Sequence, residues 1–208
     1  MTTPTIAIID YKAGNLRSVQ KALEKVGAKA TITSSQTDIK KADAVVFPGQ
    51  GANDSSMRQM RSKKLIDPIK DFIGAGKPFL GVCLGLQLLL NGSDEGIEPG
   101  LGILEGWVKQ LPPGNKIPHM GWNQVNFNFE HPLLSGIESG SHFYFVHSFF
   151  VDCSNDDLLL ATCHYGHPFA AAIQKGNIIG LQFHPEKSHH NGLRVIGNFI
   201  QFVRDGLC

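Results

Sequence analysis

The chain places a cysteine between two glycines, in the stretch Gly-Val-Cys-Leu-Gly at residues 81–85. An apolar run at 77–82 indicates a strand, and a leucine-rich run at 84–90 indicates a helix. Gly-x-Cys-x-Gly at such a junction has the form of a nucleophile elbow, because the glycines leave room for a sharp turn. A helix start would favour the thiolate of Cys83, and the backbone N–H of Leu84 would point towards an oxyanion. The motif alone leaves a second interpretation open, a small buried hydrophobe.

A thiolate nucleophile needs a base and a group that orients the base. His184 follows the apolar run 178–183, and Glu186 lies two residues further along, after Pro185. A His-x-Glu pair at a strand end can place the carboxylate against the imidazole nitrogen that faces away from the thiol. A loop histidine with a nearby surface glutamate would give the same pattern. Together with the cysteine motif, the pair predicts a triad of Cys83, His184 and Glu186.

A glycine-rich turn, Pro-Gly-Gln-Gly-Ala at 48–52, follows another apolar run. Backbone N–H groups near Gln50 and Gly51 would lie at the same sheet edge as Cys83 and could supply a second oxyanion donor. The turn lacks the lysine and hydroxyl residues of a P-loop, so a phosphate site is not expected. An ordinary turn remains the alternative.

The elements that would position these residues differ between the two halves. In the first half, strands are predicted at 6–9, 30–33, 44–47 and 77–82, with a helix that Asn15 would cap and another over 54–75. The second half predicts antiparallel strands at 108–111, 124–127, 142–152, 158–164, 169–175 and 178–183, then a closing helix capped by Asn191. The predicted fold class is α/β, a mixed sheet with a parallel core, added antiparallel strands and helices on both faces, in a single domain over 1–208.

Composition excludes several function classes. The 208 residues carry a net charge of +1, which gives no reason to expect a nucleic-acid partner. No apolar run reaches the length of about 18 residues that a membrane span needs, and the N-terminus lacks the pattern of a signal peptide. Four cysteines, at 83, 153, 163 and 208, are too scattered for a disulfide framework. We therefore expect a cytoplasmic protein with free thiols, no membrane partner, no cofactor and no metal.

The three chemical elements, in this order, resemble the class I (triad) glutamine amidotransferases over the whole chain. The resemblance implies that family's mixed α/β fold and an attack by Cys83 on the side-chain amide of glutamine, assisted by His184 with Glu186 behind it. A glutamyl thioester would form, ammonia would leave, and water would release glutamate. Backbone N–H groups near Gly51 and Leu84 would hold the oxyanion.

Within that class the chain is similar to the glutaminase subunits of imidazole glycerol phosphate synthases, from histidine biosynthesis. Three stretches support this similarity: Asp-Tyr-Lys-Ala-Gly-Asn-Leu at 10–16, the more specific Pro-His-Met-Gly-Trp-Asn at 118–123, and Tyr-Phe-Val-His-Ser-Phe at 144–149. The resemblance implies a heterodimer with a cyclase, which folds as a (β/α)8 barrel and docks over the glutaminase site. Ammonia would pass through the barrel to a phosphoribosyl-formimino aminoimidazole carboxamide ribotide. The products would be imidazole glycerol phosphate and aminoimidazole carboxamide ribotide.

The same resemblance implies residue roles. Gln87 and Glu95 would hold the head group of glutamine, the amide pairing with its carboxylate and the carboxylate with its ammonium. His147, Ser148 and Phe149 would line the pocket, with Phe149 standing where relatives often carry tyrosine. The residues implied to face the cyclase or the ammonia passage are Asn15, His119, Met120, Trp122, Asn123, Tyr144 and Lys187.

Three alternatives stay open. A related triad amidotransferase could supply ammonia to a surface-sugar synthase or another acceptor. A cysteine peptidase could share the fold, although Gln87 and Glu95 argue against it. A non-catalytic binding module could also share the fold, although the intact Cys83, His184 and Glu186 argue against such a module. For the glutaminase we expect low activity alone and stimulation when the acceptor site of the partner fills. A partner pressing on 118–123 could reorient 48–52.

Overall fold

The computed structural model describes residues 3–12, 14–152 and 158–205. Its first half alternates strands and helices, as the apolar runs predict. The elements are β1 (Thr5–Ile9), α1 (Leu16–Lys25), β2 (Lys29–Thr33), α2 (Gln36–Lys41), β3 (Ala44–Gly49), α3 (Asn53–Ser62), α4 (Ile66–Gly74), β4 (Phe79–Cys83) and α5 (Leu84–Gln87). Every residue of β3 and β4 is buried, which explains why these strands are continuous apolar runs rather than alternating ones.

The second half consists mainly of antiparallel strands. They are β5 (Gly92–Ser93), β6 (Trp107–Gln110), β7 (His119–Phe127), β8 (Ser141–His147), β9 (Phe149–Asp152), β10 (Leu159–His164), β11 (Pro168–Lys175) and β12 (Ile178–Leu181), followed by α6 (His189–Asp205). Nine strands form one sheet in the order β2-β1-β3-β4-β12-β11-β10-β7-β8, and β5-β6-β9 form a second sheet. The mixed sheet with a parallel core and added antiparallel strands is confirmed.

Strand β12 joins the two halves of the large sheet. It pairs in parallel with β4, with Leu181 opposite Val82, and antiparallel with β11. Because β4 and β12 are parallel and in register, Cys83 and the residues after Leu181 leave the sheet at the same edge. This pairing brings the predicted nucleophile and the predicted base together.

Helices cover both faces of the large sheet. Successive strand residues point to opposite faces, so Ile8 packs in one hydrophobic cluster and Ile9 in the other. The first cluster includes the buried face of α1 and of α6, and the second includes that of α3 and of α4. Among the described residues, no helix is long and apolar enough to cross a membrane.

Several helix predictions were wrong. The predicted helix over 54–75 is two helices, separated at 63–65, where Lys64 has a positive φ of 53°. Helix α2 was missed; the hydroxyl of Ser35 caps it by accepting a hydrogen bond from the N–H of Asp38 (3.3 Å). Asn191 lies inside α6 rather than at its start. The α5 helix ends at Gln87 instead of Leu90, because the carbonyls of residues 88–90 accept hydrogen bonds from the backbone of 101–104.

The predicted strand over 142–152 is interrupted at Ser148. Its first part, β8, pairs with β7 in the large sheet, and its second part, β9, pairs with β6 in the small one. The chain therefore crosses from one sheet to the other at 147–149, next to the predicted glutamine pocket. Cys153 and Cys208 lie outside the described residues.

Candidate active site

Cys83 occupies a strained turn between β4 and α5. It has φ 54° and ψ −113°, an uncommon conformation for a residue other than glycine that typically costs about 1–3 kcal/mol. A Cβ atom on Gly85 would lie 1.7 Å from the carbonyl oxygen of Phe47, so this position requires glycine. The elbow geometry that the Gly-x-Cys-x-Gly spacing predicts is present. The following helix has only four residues, however, and a single turn aligns fewer peptide dipoles than the predicted longer helix.

His184 and Glu186 form a buried pair directly after β12. His184 Nδ1 lies 2.9 Å from Glu186 Oε1, and their side chains are 3% and 1% exposed. His184 Nε2 is buried and has no nitrogen or oxygen partner among the described residues, and the imidazole interacts with the side chain of Cys83, so this nitrogen is available for proton exchange. Burial disfavours the imidazolium, but the negative charges of Cys83 and Glu186 outweigh it and raise the pKa of His184 to about 10. The environment therefore holds the imidazole protonated beside the sulfur.

Asn15 makes a contact that the sequence does not predict. Its Nδ2 donates to Glu186 Oε1 at 2.5 Å, to the same oxygen that faces His184. Asn15 has φ 67° and occupies the N-cap position of α1, as predicted, but its side chain makes no capping hydrogen bond. Its amide instead helps hold the carboxylate of the predicted triad, while Glu186 Oε2 makes no hydrogen bond within the described part of the chain.

A cavity of about 500 Å³ opens above Cys83. The predicted oxyanion residues Gln50, Gly51 and Leu84 line it. So do all five residues predicted to bind glutamine, which are Gln87, Glu95, His147, Ser148 and Phe149. Its remaining lining residues are Pro118, Met120, Tyr144, Val146 and Lys187. His184 and Glu186 are not among its walls, so of the triad only the sulfur reaches the space where a small molecule would lie.

The turn after β3 packs tightly on the cysteine elbow. A Cβ on Gly49 would lie 2.4 Å from the hydroxyl of Tyr11 and 2.8 Å from the nitrogen of Gly85. Tyr11 is 1% exposed and donates to the carbonyl of Pro48 at 3.0 Å, and burial together with the charge of Cys83 raises its pKa. Gly51 has a φ of 110°, which favours glycine. These contacts keep the backbone of Gln50 and Gly51 at the cavity.

Gln87 is held by the protein rather than free for substrate. Its Nε2 donates to the carbonyl of Phe149 at 2.7 Å and to Gln182 Oε1 at 3.0 Å. Both of its N–H groups are therefore engaged, and only Oε1 remains to accept a hydrogen bond. The predicted pairing of this amide with a substrate carboxylate does not fit that arrangement, because two acceptors would face each other.

Glu95 fits the predicted role better. Its carboxylate lines the cavity and accepts a hydrogen bond from the N–H of Asn53 at 2.7 Å. Burial raises the pKa of Glu95, and the nearby charge of Asp54 adds to that shift, whereas the Asn53 hydrogen bond opposes it. A cationic group entering the cavity would offset the cost of keeping this carboxylate ionised.

Two buried histidines form a hydrogen-bonded chain behind the cavity. His147 Nδ1 lies 2.9 Å from the carbonyl of Phe149 and must donate to it, so His147 Nε2 accepts from His119 Nδ1 at 3.0 Å. Burial lowers the pKa of His147 to about 3 and that of His119 to about 4, so both are neutral at pH 7. His119 is 3% exposed and stacks on Tyr165, so its ring does not lie at the surface, and its predicted place at the ammonia passage stays a prediction.

Some of the other residues predicted to face a partner lie at the cavity. Met120, Tyr144 and Lys187 line it, and the ring of Trp122 packs edge-on against that of Tyr144. Met120 and Trp122 are 62% and 45% exposed, which is unusual for such large apolar side chains. Lys187 Nζ lies 5.8 Å from the ring centre of Tyr144, and both residues line the cavity. Asn123 is half-buried and donates to the carbonyl of His164 at 3.0 Å, so its amide is partly committed within the chain.

Sequence reasoning missed Gln182. It is 0% exposed, and its Nε2 lies 3.6 Å from Cys83 Sγ. The available signal was a single amide within the apolar run 178–183, since a polar residue at a core position needs a hydrogen-bonding reason.

Comparisons with known proteins identify the family of the chain. A family model described as glutamine amidotransferase class-I matches residues 7–202. A curated relative named imidazole glycerol phosphate synthase subunit HisH, from Microcystis aeruginosa, is 50% identical over 203 residues, which is 96% of each chain. One of the same name from Moorella thermoacetica is 48% identical over 200 residues, covering 96% of this chain and 95% of its own.

Two solved structures share the fold. A Thermoplasma acidophilum protein described as part of a GMP synthase superposes with a TM-score of 0.75 at 19% identity, covering 99% of this chain and 96% of its own. PurLQS from Thermotoga maritima gives a TM-score of 0.75 at 20% identity and covers 100% of both chains. At these identities the likeness concerns the fold alone.

Proposed function

We propose that Cys83, His184 and Glu186 carry out the glutaminase reaction of this chain, which belongs to the class I glutamine amidotransferases. Within that class it belongs to the family of the imidazole glycerol phosphate synthase subunit HisH. The chain is the glutaminase subunit of that synthase, and it hydrolyses glutamine to glutamate and ammonia. The observation that best supports the residue assignment is the strained turn that presents Cys83 to the cavity, with the buried His184–Glu186 pair beside Cys83 and behind the cavity wall.

In the first half of the reaction the thiolate of Cys83 attacks the carbonyl carbon of the glutamine side-chain amide. A C–S bond forms and the carbonyl electrons move to oxygen. Backbone N–H groups at Gly51 and Leu84 hold that oxyanion. His184, which its surroundings keep protonated, gives its Nε2 proton to the departing nitrogen. The C–N bond breaks, ammonia leaves, and a glutamyl thioester remains.

In the second half water attacks the thioester. His184, now neutral, takes a proton from the water through Nε2 while its Nδ1–H stays bonded to Glu186. The tetrahedral intermediate collapses, the C–S bond breaks, and glutamate leaves. The thiolate of Cys83 and the imidazolium of His184 are regenerated together. Glu186 stabilises the charged imidazole in the resting state and during both proton transfers.

The cavity lining supports recognition of glutamine. The carboxylate of Glu95 suits the substrate ammonium, and Gln87 Oε1 can accept a hydrogen bond from a substrate N–H group. His147, Ser148 and Phe149 form the opposite wall. We assign the glutamine head group to the side of the cavity near Glu95, with its amide reaching down to Cys83.

The relatives are named as one subunit of a synthase, so the chain works within a complex with a partner. We propose that this partner is a cyclase with a (β/α)8 barrel, and that it docks over the exposed Met120 and Trp122. Ammonia would pass to the nucleotide acceptor in the barrel, giving imidazole glycerol phosphate and aminoimidazole carboxamide ribotide. We place the reaction in the cytoplasm, where thiols such as Cys83 stay reduced.

Glutamate release from glutamine tests the proposal. It should be low for the chain alone, rise with the cyclase of the same organism, and rise again with an acceptor analogue. Cys83→Ala should abolish it, whereas Cys163→Ala, at a buried cysteine elsewhere in the sheet, should leave it largely intact. Release by the assembled Cys83→Ala variant at the wild-type rate would refute the assignment of the nucleophile. Equal rates with and without the analogue would refute the gating.

A further inference from the structure

The side chain of Gln182 is the buried polar group closest to the sulfur that the proposed mechanism does not use. The residue follows β12, and its backbone N–H donates to the carbonyl of Ala171 at 2.9 Å. Its side chain is fully buried, between Gln87 on one side and Cys83 on the other. An amide at such a position destabilises the fold unless its hydrogen bonds are made.

The direction in which this amide points follows from its neighbours. The carbonyl of Phe149 can only accept, so the group of Gln87 that faces it at 2.7 Å is the NH2 group. The same NH2 group lies 3.0 Å from Gln182, which must therefore present its oxygen. The Nε2 atom of Gln182 then faces Cys83 Sγ at 3.6 Å. A chain of three hydrogen bonds thus orients an N–H donor towards the sulfur.

A donor in this position discriminates between the two forms of the sulfur. A thiolate can only accept, so it gains from the N–H of Gln182, whereas a thiol must find an acceptor for its own proton. The acceptor near Sγ is the carbonyl of Val146, at the longer distance of 3.9 Å. The shorter contact therefore favours the ionised form, and hydrogen bonds to charged groups are stronger than those to neutral ones.

We propose that Gln182 is a positioning residue for the thiolate of Cys83, donating to Sγ through an amide that Gln87 and the carbonyl of Phe149 hold in place. The inference rests on the proposed function, because it concerns the same nucleophile. The N–H of Gln182 supports the thiolate before attack and again when the tetrahedral intermediate formed by water collapses and the sulfur leaves. Between those points the sulfur is bonded to carbon and the contact weakens. The amide makes no bond to the substrate.

The pH dependence of alkylation at Cys83 tests this inference. Iodoacetamide reacts with thiolate, and peptide mass spectrometry separates Cys83 from the other cysteines. Gln182→Met removes the donor and should raise the midpoint of the profile by about one pH unit, a tenfold loss of thiolate below the midpoint. Gln182→Glu keeps the shape but places an acceptor beside the sulfur, and should raise the midpoint further. Gln110→Met, at an exposed position on β6, is the matched control and should leave it unchanged.

A purely structural role would lower the melting temperature of the Gln182 variants without moving the midpoint of alkylation at Cys83. An unmoved midpoint, measured on variant protein that is still folded, would overturn the inference. A second measurement needs no variant of Gln182. In the wild-type protein, the side-chain NH2 signal of Gln182 in a nitrogen–proton correlation spectrum should shift when Cys83 is alkylated, whereas that of Gln110 should not. An unmoved Gln182 signal would also overturn it.

The proposed function and this inference can be refuted independently of each other. If wild-type protein assembled with its cyclase partner released no glutamate, the glutaminase assignment would be lost whatever the alkylation profiles showed. If wild-type protein released glutamate and Gln182→Met matched it in both rate and alkylation midpoint, only the role of Gln182 would be lost.

Discussion

Removing the amide of Asn15 should weaken both the fold and the proposed glutaminase reaction. Asn15 Nδ2 donates to Glu186 Oε1, a carboxylate whose side chain is 1% exposed. The second oxygen, Oε2, makes no hydrogen bond to any described residue. Without Asn15 the buried carboxylate would keep the bond to His184 as its one described partner. A hydrogen bond to a charged group contributes roughly 1.5–3 kcal/mol, so we expect a loss of about 2 kcal/mol.

The backbone of Asn15 requires a careful choice of variant. Its φ is 67°, a left-handed conformation that costs most L-residues roughly 1–2 kcal/mol but glycine little. Asn15→Gly therefore isolates the lost hydrogen bond, and Asn15→Ala should be about 1 kcal/mol worse because it adds backbone strain. For a chain of this size, 2 kcal/mol corresponds to a melting temperature lower by about 4–8 °C.

Thermal unfolding and glutamate release by the assembled synthase are the two assays. We expect Asn15→Gly to lower the melting temperature as calculated and to reduce kcat about tenfold, because a Glu186 carboxylate held only by His184 orients the imidazole less firmly. Lys64→Gly is the matched control, because Lys64 also has a positive φ, 53°, and none of the ion pairs among the described residues involves it. If Asn15→Gly cost less than about 0.5 kcal/mol, the range of an ordinary surface substitution, and kept the wild-type rate, the reasoning would be refuted.

Three further predictions concern other parts of the site. Gly85→Ala should prevent normal folding, because its Cβ would lie 1.7 Å from the carbonyl oxygen of Phe47, whereas Gly74→Ala, with nothing within 4 Å, should leave the melting temperature nearly unchanged or raise it. The pKa of His184 is raised to about 10 from an unfolded value near 6.5, so its stabilisation is complete below pH 6.5 and is lost as the pH rises towards 10. Chemical denaturation from pH 7 to 10 should show that loss, and Glu186→Gln should move it to lower pH. The pKa of His147 is lowered to about 3, so the contribution of this residue to stability is complete above pH 6.5 and is lost as the pH falls. An unfolding free energy that stayed constant from pH 7 to 4 would contradict the assignment of His147 and His119 as a hydrogen-bonded pair of neutral imidazoles.

The sequence predicted correctly where residues lie in the fold when they are close together in the chain or stand at the end of an apolar run. The strand-to-helix junction at Cys83 and the run before His184 each mark the end of a buried strand, and parallel pairing of β4 with β12 brings those ends to one edge. The mixed sheet followed from continuous apolar strands in the first half and short turns in the second. Local patterning was sufficient for these features because burial on both faces leaves a direct signature in the residue types.

Contacts between distant parts of the chain could not be read in that way. Asn15 and Glu186 are 171 positions apart, and Gln87 and Gln182 are 95 apart. No periodicity in either segment indicates the other. Asn15 has the residue type of a helix cap, and its left-handed backbone, set by tertiary contacts, turns the amide to the carboxylate instead. His119 lies in the interior, where His147 and Asn123 contact its two ring nitrogens, and the resemblance of 118–123 to a family motif could not predict these contacts.

The interruption of the strand at Ser148 explains why the carbonyl of Phe149 can accept hydrogen bonds from two residues that line the cavity. Because β8 belongs to the large sheet and β9 to the small one, the chain passes between the sheets beside the elbow of Cys83. At that point the carbonyl of Phe149 accepts hydrogen bonds from both Gln87 and His147, which uses its two lone pairs. One bond fixes the amide chain that reaches the sulfur, and the other fixes which ring nitrogen of the neutral His147 carries the proton. A shift of the strand crossing at 147–149 would therefore disturb the surroundings of the nucleophile and the substrate pocket together. This gives a partner docked on the neighbouring β7 and β8 a direct physical route to the site.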